Sequence, residues 1–568
     1  MVASARTFSL EDTFLSPQIL NPPPTRHALL AFLLTLAAVL HIGAAGWGDL
    51  YDGTEGEVAG AAREMVAVGN WLTPTNDDAP LLATPPLTYW LVALSYKAFG
   101  VTATAARLPI ALAMIGTVAL TFLIGERLAG YLRGFAAGLI LVCSAGGFLR
   151  GRMVAPDAVC AFLICASIYC AVRGYQYQKF RRLWFGVFWL GAGLATLTKG
   201  VAAPLLFFGV LLVLAIRFRE ARLRFRPLFN WANLLLFALI VAPWFFWMEK
   251  QFPGFLSRFL RWADTSHGLP RGQFLLLHLA WWFPAIFLIL PGLLFAPRKT
   301  LRPDEAGFAD WLPLTWLLVG LGVAIVLGSE RACSTTALAP AFALFAACAW
   351  QRTSRPLRAA GITLALIAGL SAVAVVYFRP ASFRLPITQL IADAAWVSLR
   401  PLCQVAVASL LVSTLAAFFV LRQRAEITLV LALATMVPIG FCLIEGRARL
   451  APFLSLADAA EYLNPRLGRN GEVIYEGSLH SGSSLGFYLG KKFFLLNENP
   501  GFFERDAESQ RKYLDEHFLL DAWDRSDPLY LIIDADRVAY WRGLITSRVH
   551  IYHHITTCGS RVVLSNQL

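Results

Sequence analysis

Four carboxylates fall within fourteen residues in the stretch DGTEGEVAGAAREM (52–65): Asp52, Glu55, Glu57 and Glu64. Carboxylates set where a chain leaves an apolar segment can do general-base chemistry, because partial desolvation raises their pKa toward neutrality. The same spacing also suits a solvated amphipathic helix over Glu57–Met65, with Glu55 at its N-terminus, where negative charge is favoured. A second acid, Asp157 in GRMVAPDAVCAF, follows Pro156 at the start of an apolar run. It is either a helix cap or a second carboxylate facing the same cleft, with Arg152 close to it and Arg63 close to the first group. Lys199, in GLATLTKG (193–200), ends another apolar run. It reads equally as a phosphate-holding cation or as an interfacial lysine reaching the headgroups.

These residues sit in a chain of 568 residues that is 57% hydrophobic and 15% charged, with a mean hydropathy of +0.59. That is too apolar for a soluble domain and indicates a polytopic membrane protein. Thirteen runs are long enough to span, at about 27–47, 105–125, 130–148, 158–175, 183–198, 201–217, 229–248, 273–297, 310–328, 334–350, 357–378, 402–421 and 426–445. With a cytoplasmic N-terminus, the arginine-dense connections RGYQYQKFRR, RFREARLRFR, RKTLR, RTSRPLR and RQR all fall on one side, as the positive-inside rule requires. The net charge of +13 is then a topology signal, and nucleic-acid binding drops out. The loop 48–104, the turns at Asp157 and Lys199, and the loop 249–272 share the opposite, outer side. The piece PPLTYWLVALSYKAFG (85–100) is too short to span and reads as a helix lying at that surface. The first apolar run lacks a cleavage pattern and reads as a retained helix.

Seven of nine cysteines lie in apolar segments and none shows a metal or disulfide spacing, so neither a zinc site nor a disulfide framework is expected. No cofactor is indicated; a divalent ion at the acids 49, 52, 55 and 57 is the one metal option. From about 446 the composition turns to alternating helix-like and β-branched pieces. Residues 1–445 therefore read as a transmembrane domain and 446–568 as a small soluble α/β domain on the outer side.

The ordered set of motifs resembles the GT-C glycosyltransferases, in particular the bacterial aminoarabinose transferase and protein O-mannosyltransferase-like families. The matching pieces are DGTEGEVAGAAREMVAVGNWLTPTNDDAPLLATPPLTYWLVALSYKAFG, RMVAPDA, GLATLTKG, APWFFWMEKQFPGF, FYLGKKFFLL and RVVLSNQL. The resemblance implies an inverting transfer of a sugar from a polyprenyl-phosphate donor to a lipid, glycan or protein hydroxyl. It places this at the outer face of a bacterial inner membrane, with the C-terminal domain periplasmic. It also implies roles: Glu55 or Asp52 as base, Asp157 in the site, and Lys199, Arg63, Arg258, Arg261, His267 and Arg331 for the donor or its phosphate. The match has gaps. The family's Asp-Glu pair falls on Thr54-Glu55, its Glu-Lys before Pro-Pro falls on Ala83-Thr84, and the proline and tyrosine of its K-L-P-x-Y motif are absent beside Arg331. Those gaps leave a second reading, a catalytically degenerate lipid-carrier-binding or scaffold protein. A transporter or flippase is disfavoured, because ionisable residues are nearly absent from the spans, His41 and His278 excepted.

Overall fold

A computed structural model describes residues 24–261, 271–295, 307–327, 335–378, 393–422, 424–498, 512–524, 527–548 and 551–567. His267 and Arg331 lie outside the described residues, as does the side chain of Arg261. Each of the thirteen apolar runs contains a helix. Among the described residues seven helices are long and apolar enough to cross a membrane, and four apolar helices are shorter. Several runs are broken rather than continuous: 130–148 into Tyr131–Val142 and Ala145–Arg150, and 273–297 into Arg271–Trp281 and Ala285–Phe295.

Small residues let these helices approach closely. Gly125, on the helix Ala103–Ala129, lies so near Gly134 of the next helix that a Cβ would fall 2.8 Å from its Cα. The alanine-rich helix Thr335–Arg352 is buried in the bundle, as is Pro156–Gln176. Trp231–Gln251 instead turns Leu234, Leu235, Leu239 and Phe246 outward, the surface a lipid-facing helix presents.

The segment 48–104 is not an extended loop. It holds the helices Thr54–Val68 and Leu87–Phe99 and a two-stranded hairpin, β1 (Thr75–Asn76) and β2 (Ala79–Pro80). The helix Leu87–Phe99 does not span; it buries Tyr89, Val92, Ala93 and Tyr96 in a core shared with Val58, Ala62 and Met65. The expected solvated helix Glu57–Met65 is a correction: the helix starts at Thr54, and Glu55 is inside its first turn and 2% exposed. Gly53, at φ +83°, takes the N-cap position instead.

The last helix of the bundle, Met436–Leu454, continues past the expected domain boundary at 445 and carries Arg447 and Arg449. The C-terminal domain that follows is a six-stranded sheet of β3 (Glu472–Glu476), β4 (Phe494–Leu496), β5 (Tyr513–Leu514), β6 (Leu529–Asp534), β7 (His553–Cys558) and β8 (Arg561–Ser565), in the order β5-β4-β3-β6-β8-β7. The first four strands are parallel; β8 pairs antiparallel with β6 and with β7. Val473, Tyr475 and Ile532 pack on one face with the helix Ala457–Leu463. Ile474, Leu531 and Ile533 pack on the other with Leu519, Trp541 and Ile545. Covered on both faces, the central strand reads as a continuous apolar run, LYLIID, as buried parallel strands do.

Candidate active site

Asp157 enters its helix at the second position, after Pro156 at the first, where proline fits and negative charge is favoured by the helix dipole. It is 6% exposed. Its Oδ1 lies 3.0 Å from Nζ of Lys199, and its Oδ2 lies 3.7 Å from the Arg150 guanidinium. Arg150 in turn stacks 5.1 Å from the ring centre of Trp281. The Lys199 turn is fixed by Gly200, at φ +65°, where a Cβ would meet the ring of Phe259 at 2.7 Å. Phe259 belongs to the short helix Phe255–Arg261, which also carries Arg258. Among the described residues one acid and two cations thus cluster, with Asp157 buried and Arg150 and Lys199 partly so, a set of groups that could also meet a phosphate.

The acidic stretch lies at the same end of the bundle, joined to Asp157 through the chain between them. Glu55 Oε1 accepts from the backbone N–H of Val154 at 3.0 Å, and Oε2 accepts from Arg447 at 2.9 Å and from the N–H of Tyr51 at 3.2 Å. Three donors thus hold both oxygens of this buried carboxylate. Arg447 also lies over the Tyr51 ring, 4.2 Å from its centre, and its carbonyl accepts from the Tyr51 hydroxyl.

Two further arginines brace this corner. Arg107, 4% exposed, donates to the carbonyls of Ala45, Gly48 and Asp49 at 3.0, 2.7 and 2.7 Å. Arg152 donates to the carbonyls of Ala44 and Trp47. Burial, and then the neighbouring Arg107 and Arg447, push the Arg152 guanidinium below its ordinary range. Arg107, Arg152, Arg447, Tyr51 and Asp49 line one cavity of about 20 Å³, room for little more than a water molecule.

Asp52 is held differently. Its Oδ1 accepts from the N–H of Ser484 at 2.9 Å and from the Ser484 hydroxyl at 2.6 Å. No hydrogen bond to its Oδ2 occurs among the described residues, and the side chain is partly exposed. Burial raises its pKa to about 6, against the lowering effect of the two Ser484 bonds. Glu57 pairs with His480 at 2.8 Å. Asp52, Glu55 and Glu57 thus turn to three different partners. No group of three or more His, Cys, Asp or Glu side chains able to hold a metal occurs among the described residues.

Of the residues expected in the site, the structure brings together Asp157 and Lys199, and places Arg258 beside the Lys199 turn. Arg63 goes elsewhere: its guanidinium donates to the carbonyls of Phe487 and Leu489, the latter at 2.7 Å, and ties its helix to the C-terminal domain. Thr84, where the resembled family has lysine, hydrogen-bonds the Tyr89 hydroxyl. Sequence reasoning missed Arg107, Arg150, Arg447 and Ser484. A lone arginine opening an apolar run, AARLPIALAM, was the available signal for Arg107.

Comparison with known proteins fits this architecture. Residues 83–247 match the family described as dolichyl-phosphate-mannose-protein mannosyltransferase. An uncharacterized protein of Aquifex aeolicus is 32% identical over 221 residues, 38% of this chain and 43% of that protein. The undecaprenyl phosphate-alpha-4-amino-4-deoxy-L-arabinose arabinosyl transferase of Shewanella sediminis is 27% identical over 274 residues, 44% of this chain and 46% of that one. The chain spans about half the length of these curated relatives. In three dimensions the likeness runs end to end. The crystal structure of ArnT from Cupriavidus metallidurans bound to undecaprenyl phosphate superposes with a TM-score of 0.80, covering 95% of this chain and 98% of that one at 21% identity. The fold is therefore that of ArnT, a bundle of apolar helices with a C-terminal α/β domain.

Proposed function

We propose that this protein transfers a sugar from a polyprenyl-phosphate carrier to an acceptor hydroxyl, in an inverting single displacement. The observation that carries the reading is the buried Asp157–Lys199–Arg150 cluster, set on an ArnT-like bundle at the end where the acidic loop and the C-terminal domain meet. In this reaction the acceptor oxygen bonds to the anomeric carbon as the bond from that carbon to the phosphate oxygen breaks. The phosphate leaves with the lipid, so cations matter more there than a general acid. Lys199 and Arg150 stand in for the family lysine that Thr84 replaces.

The acceptor proton goes to a carboxylate, and Asp52 suits that role better than Glu55. Its Oδ1 is anchored, its Oδ2 is left for a hydroxyl, and its pKa near 6 leaves it ionised yet basic at neutral pH. Glu55 acts as the charge that orders the Arg447–Tyr51 corner. The positive-inside pattern puts this end on the periplasmic side of a bacterial inner membrane. The test is transfer from radiolabelled polyprenyl-phosphate sugars by the purified protein in lipid. Turnover that requires Asp157 supports the reading.

One observation favours the alternative of carrier binding without transfer. The residue aligned with the family's aspartate is the exposed Thr54, and the glutamate beside it is engaged by Arg447, Val154 and Tyr51. That alternative predicts donor binding with no sugar released.

A further inference from the structure

The C-terminal domain has the layout of a small ligand-binding α/β unit. From β3 the chain passes to β4 and β5 on one side, while β6 lies on the other, so the strand order reverses between β3 and β6. In such sheets the crevice at the carboxyl ends of the strands beside that reversal is where ligands sit. Here the loop GSLHSGSS (477–484) leaves the carboxyl end of β3, and the Arg561–Asp534 ion pair lies at the end of β6.

That loop meets the acidic stretch of the same chain. Besides the two Ser484 bonds to Asp52, the N–H of Gly53 donates to the His480 carbonyl and to Ser483 Oγ, both at 2.8 Å. Ser483 Oγ returns a bond to the Gly53 carbonyl at 2.9 Å. The fit leaves no room for side chains: a Cβ on Gly56 would fall 2.5 Å from the Ser484 nitrogen, and one on Gly53 would lie 3.1 Å from the His480 ring. The charged and titratable groups that act on Asp52 are His480 and Arg561 from the domain and Tyr475 on β3; Glu55 and Glu57 follow it in the next helix, paired with Arg447 and His480.

We infer that the loop after β3 in the C-terminal domain serves as a holder for the acidic stretch, with Ser484 as the positioning residue for Asp52. The inference rests on the proposed transfer reaction only in giving Asp52 a proton to accept. It assigns the domain a part in the active site, in place of a separate interaction role. Ser484 touches no substrate; it fixes one carboxylate oxygen so that the other keeps a constant direction.

The test uses the full chain in lipid, as wild type, Ser484→Ala and Ser484→Thr. Two readouts are taken: the acid limb of the kcat/KM–pH profile, and hydrogen exchange of the backbone amides at 50–57. Losing the hydroxyl bond removes an influence that favours the charged carboxylate. Ser484→Ala is therefore expected to move the acid limb upward by roughly one pH unit and to speed exchange about tenfold. Ser484→Thr, which keeps the hydroxyl, restores both. An unmoved limb with unchanged exchange in Ser484→Ala overturns the inference, as does activity lost equally at every pH with no rescue by threonine. If the wild type transfers no sugar from any donor, the reading of the reaction fails. The exchange rates then decide alone whether Ser484 holds the loop.

Discussion

Nζ of Lys199 lies 3.0 Å from Oδ1 of Asp157, and the two residues sit at the start of one helix and the end of the next. Asp157 is buried and Lys199 largely so, and among the described residues Arg150 adds a second cation near the same acid. In the proposed reaction these two cations meet the phosphate of the donor. Lys199→Met is therefore expected to lower kcat/KM for the lipid donor about 10²–10³-fold, with Lys199→Arg retaining part of it. Steady-state rates against donor concentration check this.

The Arg447–Glu55 contact closes a separation of 392 residues and brings the last bundle helix onto the acidic helix. Removing one member leaves a charge buried without its partner. Arg447→Met is expected to destabilise the protein by roughly 2–4 kcal/mol, and Glu55→Gln with Arg447→Met by less than the sum of the two single changes. Thermal unfolding of the four forms in one lipid or detergent gives the coupling.

Asp52 provides a pH signature. Its folded pKa, about 6, is raised above the ordinary carboxylate value by burial. The folded state thus holds its proton more tightly than the unfolded state. This contribution favours folding below about pH 4 and is lost as pH rises through about 6. Asp52→Asn should remove that loss, so the melting temperature of the variant relative to wild type rises between pH 4 and pH 7. Activity behaves in the opposite way. In wild type kcat/KM falls as pH drops through about 6, whereas Asp52→Asn is slow and lacks that limb.

Gly56 faces the Ser483–Ser484 loop with no space for a methyl group. Gly56→Ala is expected to cost about 1–3 kcal/mol and to loosen the C-terminal domain from the bundle. Limited proteolysis of the chain after Leu454 would show this as faster cleavage than in wild type.

How much of this was legible in the sequence follows from what kind of signal each feature leaves. The apolar runs and the β-branched tail mark their elements by composition, so the bundle and the α/β domain could be read directly. Asp157 opens a run and Lys199 ends one, and that boundary position exposed both. Arg447 and Ser484 carry no such mark. Their roles come from contacts made across nearly 400 residues or more, and nothing local to EGRARL or SGSSLG announces a partner at Glu55 or Asp52. Glu55 misled for the same reason. Its spacing suits a solvated helix turn, and only the fold shows that Val154 and Arg447 have closed over it. Arg63 lies on the acidic helix, yet its orientation depends on carbonyls supplied by residues 486–489.

The central claim is that the Asp157–Lys199 cluster serves sugar transfer from a lipid phosphate. It is tested most directly by comparing wild type with Asp157→Asn in lipid vesicles carrying a panel of radiolabelled polyprenyl-phosphate sugars. Both binding and release of the label would be followed. The account predicts that wild type turns over at least one donor and that Asp157→Asn loses most of that turnover while still inserted and folded. Donor binding without release by wild type, or equal release by both proteins, would contradict it.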